Sequence, residues 1–527
     1  MEKRVLLAAL LAGLVLMIWS AVFAPQPPPP VDEGVPRVEE TPTHARLEVD
    51  ERAPDPGTAL ELQDAAERTA VRGATGETVR LRGDGWMAVV DSSGAVLRSL
   101  VLDDYLDAEG EPLDLVGEGG VTPLLLGADG PWNREPYRVT SQGEGVLLEW
   151  SDGSGNWVEK EIGPGRGRYL VSVAVRGGGR AGAEGVVVGS GINEAARATT
   201  GGYFGRAGAV GRINGKVERQ NLEKVKDERS WQGQIDFAGV DDQYFLLAFL
   251  PRERIREVRV EGPARAPDGI GRVVVEMPRD GVVGDLYGGP KEHHTLKGFG
   301  RGLEGTISFG IMGFFSVGFL AALRWIYSWA GNWGLAIIVL TAAIRVPLFP
   351  LTHKSTVAMR RMQAIKPKMD AIQERYRERA KKDPQVRNRM NQEVMALYKQ
   401  EGVNPLGGCL PTLVQLPILW ALYTLFAYAI ELRQAPFMLW VHDLSLKDPF
   451  YVLPVLMMAS MFLQQRLAPQ VGDPAQRRMF MMMPLIFGIM FMNFPAGLVL
   501  YWLVNNVLTI GQQLLTERLL RARAAAA

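Results

Sequence analysis

The chain has 527 residues, enough for about three to four soluble domains, and 58 Lys plus Arg balance 58 Asp plus Glu to a formal net charge of zero. That balance hides two unlike parts: residues 31–300 hold 32 basic and 45 acidic side chains, and the remainder holds 26 and 13. The positive charge lies beside apolar runs, which excludes a global nucleic-acid patch, and one cysteine, Cys409, excludes an intrachain disulfide framework or a cysteine-based zinc cluster.

The first apolar run is Val5–Phe23, preceded by Lys3 and Arg4; its 19 residues can cross a hydrocarbon core about 30 Å thick. A cleaved signal peptide ending at Ala24 is the alternative. The run exceeds the usual apolar length of about 7–15 residues for such peptides, and Pro25 would follow the cut. An uncleaved signal anchor over residues 1–24 is therefore expected. Segment 25–73 opens with Pro25, Gln26 and Pro27 to Pro30, a stiff polyproline-like spacer. It continues as acidic, aromatic-poor sequence that reads as disordered.

From 74 to 303 the pattern is short strands with Gly-rich turns. Val79–Leu81, Met87–Val90, Tyr137–Thr140, Val146–Trp150, Tyr169–Val175, Ala248–Leu250, Val258–Val260 and Val273–Met277 read as strands, and their spacing predicts a β-sandwich. No catalytic set emerges there. His293 and His294 are adjacent and would face opposite ways on a strand, and Asp241 and Asp242 form no recognisable motif.

Residues 304–331 are apolar but carry Arg324 and end in Trp325, Tyr327 and Trp329, which suits a helix lying at a membrane interface. Five apolar runs follow, at about Trp333–Leu351, Leu410–Ile430, Tyr451–Leu463, Met479–Met492 and Gly497–Leu515. They predict a second span at 332–352 and four more within 409–517, making six spans with the first. Two are short and contain Pro454 and Pro484, which implies a thinned bilayer or a bundle that satisfies the freed carbonyls.

Segment 353–408 carries 13 basic and six acidic residues and is expected in the cytoplasm. It reads as a helical hairpin: Thr356–Ala380, broken or kinked near Pro367; a turn at Lys381 and Lys382; then a helix capped by Asp383 and opened by Pro384, running to about Gln400. Arg360, Arg361, Lys366, Lys368, Arg375 and Arg377 give it a basic face suited to ribosomes, nascent chains or anionic lipid. Arg466, Arg477 and Arg478 mark another inner loop, and Arg518, Arg521 and Arg523 mark a cytoplasmic tail at 518–527. Both termini are thus expected inside and the large domain outside.

Arg345 is the sharpest single feature, a guanidinium inside an apolar run. It cannot be neutralised at ordinary pH, and its cost in hydrocarbon implies a wet cavity or a partner. Snorkelling to the headgroups is the alternative, since the inner end of the span is about 10 Å away. Thr341 lies one turn earlier. Tyr501, Asn505, Thr509 and Gln512 follow helical spacing in the last run with Trp502 beside them; Thr412 and Gln415 share a face of the third, Ser460 and Gln464 of the fourth. Each pair alone reads as interhelical hydrogen bonding. Together with an arginine that no acidic residue within the apolar runs can neutralise, they read as a hydrated half-cavity that attracts an acidic client segment. Sixteen of the 20 methionines lie after Gly300, supplying adaptable apolar contacts or plain core filling.

Glu401-Gly-Val-Asn-Pro405-Leu-Gly-Gly-Cys409, Glu431-Leu-Arg-Gln-Ala-Pro436-Phe, Trp440-Val-His-Asp443-Leu-Ser and Phe494-Pro-Ala-Gly497-Leu-Val-Leu-Tyr501 resemble motifs of the YidC family of membrane protein insertases. Arg345 after Thr341-Ala-Ala-Ile resembles that family's groove arginine. The likeness covers essentially the whole chain and matches members with a large outer domain. It implies a polytopic α-helical bacterial inner-membrane protein with six spans, a five-helix core bundle and an all-β periplasmic domain, a β-supersandwich. It further implies a hydrophilic groove open to cytoplasm and lipid, holding Arg345, Thr341, Gln415, Tyr501, Trp502, Asn505 and Thr509. Implied partners are nascent membrane-protein clients, the ribosome, the Sec translocon and membrane lipids, with no sequence-specific nucleic acid, no cofactor and no catalytic residue. No Walker-type loop is present. A polytopic secondary transporter is the alternative, but it calls for repeated halves, which the core runs lack; an intramembrane hydrolase calls for a nucleophile–base pair or HExxH, also lacking.

Overall fold

In the computed structural model the described residues are 69–527, apart from 108, 118–120, 128–129, 193–207, 267, 404–409, 468–473 and 527. The expected signal anchor, the spacer up to residue 68 and Cys409 lie outside them. The last part of the expected disordered linker is ordered: Val71 bridges Ser151 in both directions, at 2.9 and 3.0 Å, and Gly73 donates to the Pro136 carbonyl. Backbone pairing, which composition does not register, fixes this end.

The β domain is antiparallel throughout. One sheet runs β1 (Thr78–Gly83), β2 (Trp86–Asp91), β3 (Val96–Leu106), β4 (Pro112–Asp114). A nine-stranded sheet contains, in spatial order, β11 (Lys216–Gln220), β10 (Gly208–Ile213), β13 (Ile235–Asp241), β14 (Phe245–Pro251), β17 (Val282–Pro290), β8 (Leu170–Gly178), β7 (Trp157–Pro164), β6 (Gly145–Ser151) and β5 (Arg138–Gln142). A third sheet runs β12 (Glu228–Gln232), β15 (Glu257–Glu261), β16 (Arg272–Val275), β9 (Val186–Gly189). Alternation along β2, with Trp86, Ala88 and Val90 buried, is the period-2 signature of a half-buried strand. Strands β13, β14 and β16 are buried along nearly their whole length.

Both small sheets lie on one face of the large one. Leu247 on β14 faces Gly189 of the third sheet, and it also faces Gly288 on β17, over which Leu100 of the first sheet sits so closely that a Cβ would meet it at 2.1 Å. All eight strands expected from the sequence fall on observed strands. His293 and His294 do not lie on a strand; they open the short helix α1 (His293–Gly298).

The helical part begins with α2 (Gly313–Ala330), which ends at Gly331 in the left-handed region, φ 65°, a conformation that favours glycine. Asn332 then caps α3 (Trp333–Lys382), accepting from Leu335 N at 2.9 Å. The apolar run and the first hairpin helix are one 50-residue helix that passes through Pro347, Pro350 and Pro367; of the break or kink expected near Pro367, the break does not occur. Each proline removes one intrahelical hydrogen bond, and the continuing turns on both sides hold the rod. Asp383 caps α4 (Pro384–Gln400) through Gln385 N at 2.8 Å, as the Asp-Pro pair predicts. Met362, Ile365 and Val403, with Tyr398 against them, form the hairpin's own small core.

The remaining helices are α5 (Leu410–Tyr428), α6 (Val452–Leu467), α7 (Pro474–Phe491) and α8 (Ala496–Ala526); the expected tail is a continuation of α8. By length and composition three described stretches can cross a membrane: Gly310–Ala330, Trp333–Arg379 and Ala496–Leu519. Leu413–Tyr428, Val452–Leu467 and Met481–Phe491 are shorter apolar helical stretches; the last would span about 16 Å. Helix α2 packs on α5 through Ser316, whose hydroxyl meets Thr424 Oγ1 and the Ala421 carbonyl, both at 3.0 Å. Gly334 is required by close approach, because a Cβ there would lie 2.0 Å from the Phe437 ring.

The β domain is joined to the helices by polar contacts. Gln243 donates to the Ala427 carbonyl at 2.5 Å. Arg433 donates to the Leu106 carbonyl at 2.7 Å and lies over the Phe245 ring. Arg324 on α2 bonds Glu292 at 2.9 Å and Glu431 at 3.0 Å, tying three segments at one guanidinium.

Candidate functional site

Arg345 sits on α3, partly buried, with α8 alongside. Its Nε donates to Asn505 Oδ1 at 2.8 Å, and its Nη2 to Thr509 Oγ1 at 2.5 Å and the Asn505 carbonyl at 3.3 Å. From α5, Gln415 Nε2 donates to the same Asn505 Oδ1 at 3.0 Å and to Tyr501 OH at 3.4 Å. The cluster forms because 501, 505 and 509 recur at one helical turn on α8, so one stripe of that helix serves both neighbours. Every partner of the guanidinium is a neutral oxygen, and among the described residues Arg345 makes no ion pair. This is where a positive charge is anchored without being cancelled.

Five of the seven expected groove residues, Arg345, Gln415, Tyr501, Asn505 and Thr509, come together in this way. Thr341 does not join them: it is buried and its hydroxyl returns to the Ile337 carbonyl of its own helix at 2.6 Å, a common outcome for helical threonines. Trp502 faces another direction, with its ring 5.0 Å from Phe491 and 6.1 Å from Phe487 on α7. Ser460 of α6 accepts from Asn506 at 3.0 Å in a buried contact, the interhelical bonding that the pairwise reading expects.

The polar contacts continue along α3 and α8 beyond the arginine. Gln512 donates to Thr352 Oγ1 at 2.5 Å and the Phe349 carbonyl at 3.2 Å; His353 Nδ1 meets Thr516 Oγ1 at 3.1 Å; Arg360 pairs with Glu517 at 2.6 Å. Positions 345, 352, 353 and 360 keep the seven- and eight-residue steps of a helix–helix seam, and Glu517 follows Thr516 at its end. Sequence reasoning missed Glu517; the signal was an acid near the end of that helix facing a basic segment. The other hairpin bases are placed along α3: Lys368 pairs with Glu401 at 2.6 Å, Arg375 with Glu393 at 3.5 Å and Arg377 with Glu374 at 3.2 Å. Arg361 is exposed and Lys366 half-buried.

Two clefts of about 360 and 400 Å³ lie in the β domain, the first beside Trp150 and Glu159, the second beside Arg176 and Arg252. Neither contains a residue of the Arg345 cluster. Asp241, which the sequence left without a role, is the hub of a buried ionic group. It accepts from Lys291 at 2.9 Å and from Arg219 at 2.8 and 2.9 Å. Among the described residues no three His, Cys, Asp or Glu side chains converge as metal ligands.

Residues 325–523 match the family model described as 60Kd inner membrane protein, and residues 78–321 match the model of the YidC periplasmic domain. A membrane protein insertase YidC of Syntrophus aciditrophicus is 32% identical over 97% of this chain and 99% of its own length. One from Geotalea daltonii is 34% identical over 97% of this chain and 98% of its own. One from a Geobacter species, strain M21, is 43% identical over 57% of this chain and 56% of its own.

Proposed function

The chain belongs to the YidC family of inner-membrane protein insertases, and we propose that within this activity Arg345 is the group that receives the client. Insertion of this kind is not an enzymatic reaction: no bond is made or broken, and burial of the client's apolar helix supplies the driving force. What a protein can contribute is a lower barrier for the polar outer segment. A guanidinium held by Asn505 and Thr509, with no carboxylate on it among the described residues, attracts an acidic segment part-way into the bilayer and shortens its passage through hydrocarbon. The short apolar helices α6 and α7 favour local thinning, which shortens the passage further.

The rest of the arrangement follows from charge. The β domain lies in the periplasm, the termini and the basic hairpin lie in the cytoplasm, and α2 rests at the outer interface with Trp325 and Trp329 exposed to headgroups. The hairpin's basic face docks ribosomes carrying nascent clients, and the bundle acts with or without the Sec translocon. The single observation that carries the role of Arg345 is that its acceptors among the described residues are all neutral. Reconstitution into liposomes with single-span clients tests it. Arg345→Ala is expected to lose insertion of a client with an acidic outer segment; wild-type insertion by that variant would overturn the role.

A further inference from the structure

We infer that Asn505 is the positioning residue that fixes Arg345 while leaving its charge available, and that Gln415 fixes Asn505; this rests on the proposed role of Arg345. One oxygen, Asn505 Oδ1, accepts from Arg345 Nε at 2.8 Å and Gln415 Nε2 at 3.0 Å, so α3, α5 and α8 meet at a single atom. The Asn505 backbone oxygen adds a second anchor, accepting from Arg345 Nη2 and from Thr509 Oγ1, the latter at 2.7 Å. The Nε and Nη2 side of the guanidinium is thus held by α8, and Nη1 donates no hydrogen bond among the described residues.

The side chain at 505 has three chemically distinct options. A carboxylate would form a charge-assisted pair with the guanidinium and cancel it. An apolar side chain would leave Nε without an acceptor and let the long arginine swing toward the headgroups. An amide oxygen holds the arginine and leaves its charge for an incoming carboxylate. Gln415 Nε2 and Arg345 Nε are both donors to the same oxygen, so Gln415 reinforces the amide orientation that the arginine requires.

The full-length protein in proteoliposomes, given a single-span client with an acidic outer segment and its Asn/Gln counterpart, tests the assignment. Asn505→Asp is expected to lower insertion of the acidic client about tenfold more than insertion of the neutral one. Gln415→Met, which frees the amide without adding charge, is expected to lower the preference for the acidic client about threefold, and it decides the matter if the aspartate variant does not accumulate. Wild-type preference in both variants, or equal loss on both clients, overturns the inference. Arg345→Ala in the same assay separates the two levels. If it alone abolishes the preference, only the role of Asn505 falls; if it too retains the preference, the reading of Arg345 falls first.

Discussion

The β domain and the helical bundle both bury charge, and they treat it oppositely. In the β domain Lys291 and Asp241 are almost fully buried and paired, and Arg219 completes the group at Asp241. Lys160 on β7 has no carboxylate partner among the described residues, but its ammonium spends three donors on the carbonyls of Gly94, Ala95 and Leu124, at 2.7, 3.2 and 2.7 Å. It can also shed its proton, since burial pushes its pKa down to about 7. Among the described residues Arg345 has no carboxylate partner, and it lacks that escape. A buried charge that is cancelled or saturated holds a fold together; one that is anchored and left uncancelled is available to something arriving from outside.

The largest break in this comparison is Asp241→Ala, which strands Lys291 and Arg219 and is expected to destabilise the β domain by about 3–5 kcal/mol. Thermal and denaturant unfolding of the purified protein checks it, and insertion should decline only in step with unfolding. Next is the pH response of Lys160. Its pKa is lower folded than unfolded (about 7 against about 10.5), so between these values the unfolded chain binds more protons and stability rises with pH. Lys160→Met should flatten that rise above pH 7, read from β-domain unfolding midpoints across the range; an unchanged slope would remove Lys160 as its source.

Arg345→Lys keeps the charge but loses the planar fork that engages Asn505 and Thr509 together. It is expected to lower insertion of an acidic client about tenfold without shifting β-domain unfolding. The smallest effect belongs to the partly exposed Arg360–Glu517 pair, worth about 1 kcal/mol or less. Arg360→Glu or Glu517→Arg alone should loosen the hairpin from α8, seen as reduced crosslinking between cysteines placed on the two helices, and the double swap should restore it.

Much of the architecture was legible because its causes are local. Alternation at Trp86, Ala88 and Val90 and the Asp383-Pro384 cap are written in neighbouring residues, and so is the α8 stripe at 501, 505 and 509. What escaped depends on distant partners. Lys160 is one more lysine in a strand until the turn between β2 and β3, at Gly94 and Ala95, and the Leu124 loop close over it. Thr341 reads as part of the polar face until its hydroxyl finds its own helix, and Glu517 acquires meaning only opposite Arg360. The unbroken course of α3 through Pro367 also escaped, because the cost of a missing intrahelical bond is local while the support that outweighs it extends along the whole rod.

That rod has a mechanical consequence. From Arg345 to Lys382 helix α3 extends about 55 Å, so a swing of about 5° pivoting near the arginine carries the hairpin tip through roughly 5 Å. The leverage also runs in reverse. A large particle gripping the hairpin applies torque to the helix that holds the guanidinium, with Pro347 and Pro350 next to the fulcrum as the places where the shaft bends most easily. Load on the hairpin at one end and the setting of Arg345 at the other are therefore joined by a single lever arm.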